Sequence, residues 1–394
     1  MTNKEIIAMG DESVMPTYGR FQVAFEKGQG SVLTDFDGKE YVDFASGIGV
    51  NSLGYGYAPW VQAVSAQAAT LQHVSNLYYT GPMAKVAKTL TERTGMADVF
   101  FANGGGESNE GMIKLARKYS FDKYGAGRST IVTLRQSFHG RTISTLAATG
   151  QDVFHNYFFP FTEGFKYAVA NDLGSVKDAC TGDVCAVMME LIQGEGGVLP
   201  LDPAFVQGVA DFCKERDLLL LIDEVQTGVG RTGKLFCFQQ YGIQPDVVSF
   251  AKGIAGGLPF GGIMANEKCA NVLGPGTHAT TFGGNPVAAA GACVVLDTLN
   301  DAFLQTVEEK GAYIRKTVAS WNLPVVSSVR GMGLMVGIGV TCSHKEVVGQ
   351  CLNAGLLALT AGSDTVRLLP PLVITYAEID RGLAILKSVL EGMA

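Results

Sequence analysis

Apolar residues fall in short unbroken blocks through the first two thirds of the chain, and each block stops abruptly at polar residues or glycine. Residues 218–222, LLLLI, are the clearest case. Five apolar positions without alternation are too few for a buried helix and predict a strand covered on both faces. Residues 131–134, 184–190 and 247–250 are similar, mostly apolar and interrupted only by Thr133, by the terminal Glu190 and by Ser249. The connection between 218–222 and 247–250 is long enough for a parallel crossover, so the blocks predict an open, mostly parallel α/β sheet. The chain reads differently at its ends. Residues 21–25 and 31–36 are strand candidates flanking EKGQG, and Asp37-Gly38 marks a tight turn before 41–44. A long apolar helix, rich in Ala and Val, is expected from Val287. Strands at 325–329, 334–340 and 366–368 follow it, alternating with helices. A chain of 394 residues exceeds what one core of about 250–300 residues usually holds. Two lobes are therefore expected: a large one over 45–287, and a small one over 288–394 with which segment 1–44 packs.

The chemistry collects at the strand ends. Block 218–222 runs into Asp223 and Glu224, and block 247–250 into Ala251 and Lys252. Strand ends of an open α/β sheet are where such folds place ligands, so an acid and an amine face one crevice. A desolvated lysine can condense with an aldehyde, and a carboxylate held against a pyridine nitrogen keeps that ring protonated as an electron sink. Together they describe a pyridoxal phosphate site. The surrounding glycines, Gly253, Gly256, Gly257, Gly261 and Gly262, let backbone approach a planar ligand.

Three other segments bear on the same ligand. In residues 100–110, FFANGGGESNE, a strand, a glycine turn and a helix start make an anion site of free amides and positive dipole. SFHGRT, 137–142, offers an aromatic plate and a guanidinium fork, with His139 read as a local hydrogen-bonding residue. ELIQGEGG, 190–197, ends the third buried block.

With DEVQTG at 223–228, FAKG at 250–253 and HATTFGGNP at 278–286, these motifs resemble the class III, or omega-type, aminotransferases through most of the chain. The resemblance implies a pyridoxal-phosphate-dependent transferase of fold type I: a large domain around a mostly parallel sheet and a smaller α+β domain. It assigns Lys252 as the catalytic amine and Asp223 as the partner of the ring nitrogen. Gly105 and Gly106 go to the phosphate, Phe138 and Val225 to the two ring faces, and Gln226 to the ring oxygen, with Glu224 beside them. Thr281 is assigned to a phosphate across a homodimer interface, so that active sites are shared, and Thr280 to the substrate. Arg141 grips a substrate carboxylate, and Arg367 a second one, with Glu190 as the carboxylate that neutralises Arg367 when no substrate does. The implied reaction moves the terminal amine of N-acetylornithine to 2-oxoglutarate. Ornithine, succinylornithine and 4-aminobutyrate are alternative donors, and an aminomutase or an inactive cofactor-binding chain are alternative outcomes. Gly104, Gly106, Leu191, Tyr55, Tyr57 and Trp60 depart from the family's usual residues.

Composition narrows the rest. With 30 basic and 37 acidic residues, a formal charge of −7 and no basic run, there is no footprint for nucleic acid or an anionic membrane. Fifty glycines without a period fit turns and ligand approach rather than a fibre. Eight cysteines include no CxxC pair, which favours reduced thiols over a metal site. No signal-peptide core and no run of about 18 apolar residues is seen, so a cytoplasmic protein is expected. GVGRTGK, 228–234, fits the start of a P-loop, but Leu235 stands where magnesium needs Ser or Thr, and no strand leads into it.

Overall fold

In the computed structural model, which describes residues 1–393, the apolar blocks form one seven-stranded sheet. Its strands are β1 (Asp98–Ala102), β2 (Thr130–Leu134), β3 (Phe165–Ala168), β4 (Val184–Met189), β5 (Leu219–Asp223), β6 (Val247–Phe250) and β7 (Gly261–Ala265). The spatial order is β1-β7-β6-β5-β4-β2-β3. All neighbours from β6 to β3 are parallel, whereas β7 runs antiparallel to both β6 and β1. Strands β2, β4, β5, β6 and β7 are buried at every position, which is why their sequences are apolar without alternation.

Helix α1 (Gly105–Tyr124) crosses one face of the sheet and buries Met112, Ile113, Leu115 and Ala116 against Ile131, Ala186, Met188, Leu219 and Leu221. A larger apolar cluster covers the other face and runs on without a break into the C-terminal region. The apolar helix expected from Val287 spans Pro286–Thr298, starts on an Asn285 cap and stops at Leu299. Asn300 then caps a second helix, Asp301–Ser320.

Two four-stranded sheets complete the chain. One joins Val326–Met332, Met335–Val340, Thr365–Leu368 and Leu359–Ala361. The other joins Phe25–Gln29, Val32–Asp35 and Glu40–Asp43 to Leu356–Leu357, so the N-terminal strands pair with a C-terminal one. The first strand lies four residues beyond the expected 21–25. Gln29 pairs with Val32, leaving a two-residue turn at Gly30-Ser31 in which Gly30 takes φ +57°. The expected EKGQG loop is therefore mostly ladder. Among the described residues, no single helix is long and apolar enough to cross a membrane.

Candidate active site

Strands β5 and β6 lie side by side with Asp223 opposite Ser249, which brings Asp223 and Lys252 to one end of the sheet. Asp223 is buried and well supplied with donors. Asn109 Nδ2 (2.7 Å) and His139 Nδ1 (2.8 Å) donate to Oδ2, and Val225 N (3.0 Å) and Ser249 Oγ (3.4 Å) to Oδ1. Such a set fixes the orientation of the carboxyl group, which can then take a proton-bearing ring nitrogen. His139 thus does more than pack locally, because its ring orients the central acid.

Lys252 follows β6 directly and holds φ +46°, a left-handed conformation that costs a non-glycine residue energy and tends to be kept where function needs it. Behind this turn, Trp60 Nε1 donates to the Ala255 carbonyl (2.9 Å) and Ser52 Oγ to that of Gly253 (2.8 Å). Trp60, one of the departures from the family pattern, therefore buttresses the segment that carries Lys252. Burial pushes the Lys252 amine down to about 8; Arg367 adds to this, and Glu195, Asp223 and Glu190 oppose it. An amine with that pKa is about one-tenth neutral at pH 7, a far larger nucleophilic fraction than a lysine at its ordinary value offers.

Lys252 and Asp223 open into a cavity of about 460 Å³, with Gly105, Gly106, Phe138, Arg141, Glu190, Val225 and Gln226 also on its walls. Gly105 and Gly106 begin α1 behind an uncapped Gly104, so free amides face the cavity. A Cβ on Gly105 would come within 2.7 Å of Val225 Cγ1, so this backbone reaches the wall only as glycine. Both ends of segment 139–144 are tied to α1. Asn109 Nδ2 donates to the His139 carbonyl (2.7 Å), while Thr142 Oγ1 (2.6 Å) and Ser144 N (3.2 Å) donate to Glu110 Oε1. Arg141 projects between them, exposed and with no ion pair among the described residues.

Two sequence-based assignments are corrected here. Glu190 does not meet Arg367. Its carboxylate accepts from Phe138 N (2.9 Å) and Gly194 N (3.3 Å), and burial pushes it up to about 7. Arg367 is held instead by Glu195, Nη1 to Oε1 at 2.6 Å and Nη2 to Oε2 at 3.2 Å, with Nη1 also donating to Gln226 Oε1 (2.9 Å). Burial pushes the Glu195 carboxyl up, but Arg367 outweighs it, with help from Lys252 and Gln226, and holds it below its ordinary value. The turn explains the exchange. Residues Ile192–Gln193 and Leu199–Pro200 form a small hairpin whose tip meets the C-terminal strands, through Gly362 N to the Glu195 carbonyl and Arg330 Nε to that of Gly197.

Glu224, unlike Glu190, turns away from the cavity. It accepts from Thr227 Oγ1, Cys237 N and Phe238 N at 2.7–2.9 Å and ties down the crossover to β6. Thr280 and Thr281 lie off the cavity wall of this chain, with Thr280 Oγ1 accepting from Asn103. Neither Asn109 nor Thr142 stands out in the sequence. Glu195 does carry a signal, since glycines at 194, 196 and 197 flank it much as glycines surround Lys252. Arg231 of the P-loop-like stretch is buried and donates to the carbonyls of Leu334 and Pro370, so the stretch is a structural crossing.

The residues fit pyridoxal phosphate on their own chemistry: a desolvated amine for the aldehyde, a fully hydrogen-bonded carboxylate for the ring nitrogen, and a glycine-only helix start for the phosphate. The family profile described as "Aminotransferase class-III" matches residues 14–390. The acetylornithine aminotransferase of Haemophilus ducreyi is 50% identical over 396 residues, covering 100% of both chains. That of Caldanaerobacter subterraneus is 46% identical over 96% of this chain and 97% of its own. Among solved structures, the N-acetylornithine aminotransferase of Stenotrophomonas maltophilia superposes with a TM-score of 0.85 at 34% identity, covering 98% of this chain and 99% of that one. An ornithine aminotransferase of Toxoplasma gondii, described with partial occupancy of PLP at its active site, superposes with 0.95 at 29%, covering 99% and 94%. With the profile spanning nearly its whole length around this cavity, the chain belongs to the class-III aminotransferases and is a pyridoxal-phosphate-dependent transaminase.

Proposed function

We propose that the enzyme moves the terminal amino group of N-acetylornithine to 2-oxoglutarate, giving N-acetylglutamate semialdehyde and glutamate, in the cytoplasm and as a homodimer. The observation that carries this reading is the unequal state of two arginines, Arg141 on the cavity wall and Arg367 hydrogen-bonded to Gln226, which lines the same cavity. Arg141 is open, while Arg367 is neutralised by Glu195 at 2.6 Å. A donor with one distal carboxylate and none on its amine-bearing carbon suits that state. The acceptor carries two carboxylates and needs both guanidinium groups.

Pyridoxal phosphate, when bound, supplies the electrophilic carbon and the ring that takes up the electron pair of the breaking C–H bond. The amides of Gly105 and Gly106 would hold its phosphate, Asp223 its ring nitrogen, Gln226 its ring oxygen, and Phe138 and Val225 its two faces. Lys252 Nζ would take the proton from the substrate carbon that bears the amine and deliver it to the cofactor's former aldehyde carbon. Arg141 orients the donor's carboxylate and then one carboxylate of the acceptor. Glu195 covers Arg367 during the donor half and yields it to the acceptor's second carboxylate. Leu77, Tyr78, Tyr79 and Phe282 stand exposed as an apolar rim, which supports a second copy packing there. Thr281, off this chain's own cavity, would then reach the phosphate of that copy.

Turnover of N-acetylornithine with 2-oxoglutarate, compared with ornithine and 4-aminobutyrate, tests the reading. It is expected to be fastest with N-acetylornithine and to vanish in Lys252→Ala. Equal or faster turnover of 4-aminobutyrate, or full activity in Lys252→Ala, would overturn it.

A further inference from the structure

The open arginine sits on an unassigned aromatic ring. Phe154, in the short 3-10 turn Asp152–Phe154, presents its face to Arg141, whose guanidinium carbon lies 4.1 Å from the ring centroid. Phe138, the expected cofactor plate, is second at 5.5 Å, and the two rings meet edge to face at 5.9 Å. A guanidinium stacked on an aromatic face is attracted by the ring quadrupole and loses rotational freedom, yet its N–H groups stay free at the edge. A side chain as long as arginine otherwise gives up much rotamer entropy when it grips a ligand. Beyond the two rings nothing holds it among the described residues: no acid pairs with it, and Asn109 and Glu110 bind its neighbours, the His139 carbonyl, Thr142 Oγ1 and Ser144 N.

We propose that Phe154 is a positioning residue for substrate recognition: it holds the Arg141 fork flat and aimed into the cavity, and so sets the affinity for every substrate carboxylate that Arg141 binds. This rests on the carboxylate-binding role of Arg141 proposed above. Arg141 serves donor and acceptor alike, so loss of the platform weakens both, whereas loss of the Glu195 charge on Arg367 moves donor and acceptor in opposite directions.

The experiment compares Phe154→Leu, Phe154→Tyr and Arg141→Ala holoenzymes, measuring KM and kcat separately for N-acetylornithine and 2-oxoglutarate, and the cofactor's dissociation constant by fluorescence. In Phe154→Leu, KM is expected to rise about three- to tenfold for both substrates, with kcat and cofactor affinity within about twofold of wild type. Phe154→Tyr keeps the ring face and is expected to retain the wild-type KM values; this arm decides the matter if the leucine variant does not fold. Unchanged KM values in Phe154→Leu beside a large rise in Arg141→Ala overturn the platform while leaving the role of Arg141 intact. Unchanged values in both variants overturn the two together. A rise in Phe154→Tyr equal to that in the leucine variant, or a rise for one substrate alone, also contradicts the platform.

Discussion

Replacing Glu195 by glutamine removes the charge that occupies Arg367 and leaves a side chain of nearly the same shape. The Arg367 side chain is 3% exposed and that of Glu195 28%, so the pair is largely shielded from water beside the cavity-lining Gln226. Its two contacts, at 2.6 and 3.2 Å, are hydrogen bonds between charged groups, worth about 1.5–3 kcal/mol net. An acceptor carboxylate must displace them before it reaches the guanidinium. Glu195→Gln is therefore expected to lower the apparent dissociation constant for glutamate and 2-oxoglutarate by about 10- to 100-fold, at about 1.4 kcal/mol per tenfold. Binding of N-acetylornithine should weaken over a similar range, because a buried guanidinium without its counter-charge would then face an uncharged part of the donor. Stopped-flow measurement of each half-reaction, run separately with glutamate and with N-acetylornithine, reads both effects from the cofactor's absorbance. Glu190→Gln is the control: Glu190 holds backbone amides rather than Arg367, so acceptor preference should not move. The reasoning is refuted if Glu195→Gln leaves the glutamate half-reaction unchanged, or if Glu190→Gln speeds it.

Four further outcomes are expected. His139→Leu removes the 2.8 Å bond to Asp223 from a buried site, and should cost about 1.5–3 kcal/mol of cofactor affinity, read as a roughly 10- to 100-fold higher dissociation constant. Gly105→Ala puts a methyl group against Val225 at 2.7 Å, and the overpacking should cost about 1–3 kcal/mol, seen as a lower Tm of the holoenzyme and weaker cofactor binding. In cofactor-free protein the Lys252 amine is neutral above about 8, so the rate of cofactor capture should rise with pH and level off beyond that value. The lowered pKa also means that the unfolded chain binds the extra proton between about 8 and 10.5, so stability gained from Lys252 increases with pH across that window, and Lys252→Met should abolish the increase.

The sheet and the central pair were legible because short buried strands leave a local signature. Five apolar residues followed by Asp223, and the mostly apolar Val247–Phe250 followed by Ala251 and Lys252, locate two strand ends within a residue or so. What lay beyond local pattern was read less well. Glu190 and Glu195 are five residues apart in one glycine-rich turn, and only the hairpin that leans on the C-terminal strands decides which of them meets Arg367. Glu224 follows Asp223 in sequence, yet the chain's turn after β5 sends it to the amides of Cys237 and Phe238. Asn109 and His139 look like ordinary polar residues until the fold brings both to Asp223, across 114 and 84 residues. The hairpin near the N-terminus slipped because Gly28 and Gly30 resemble a loop, although only Gly30-Ser31 turns.

The most direct test of the central claim is a single-turnover absorbance experiment on the purified holoenzyme. N-acetylornithine should rapidly bleach the cofactor's visible band and 2-oxoglutarate should restore it, with ornithine and 4-aminobutyrate acting more slowly. A band that no amine bleaches, or the absence of any such band after addition of pyridoxal phosphate, would contradict it.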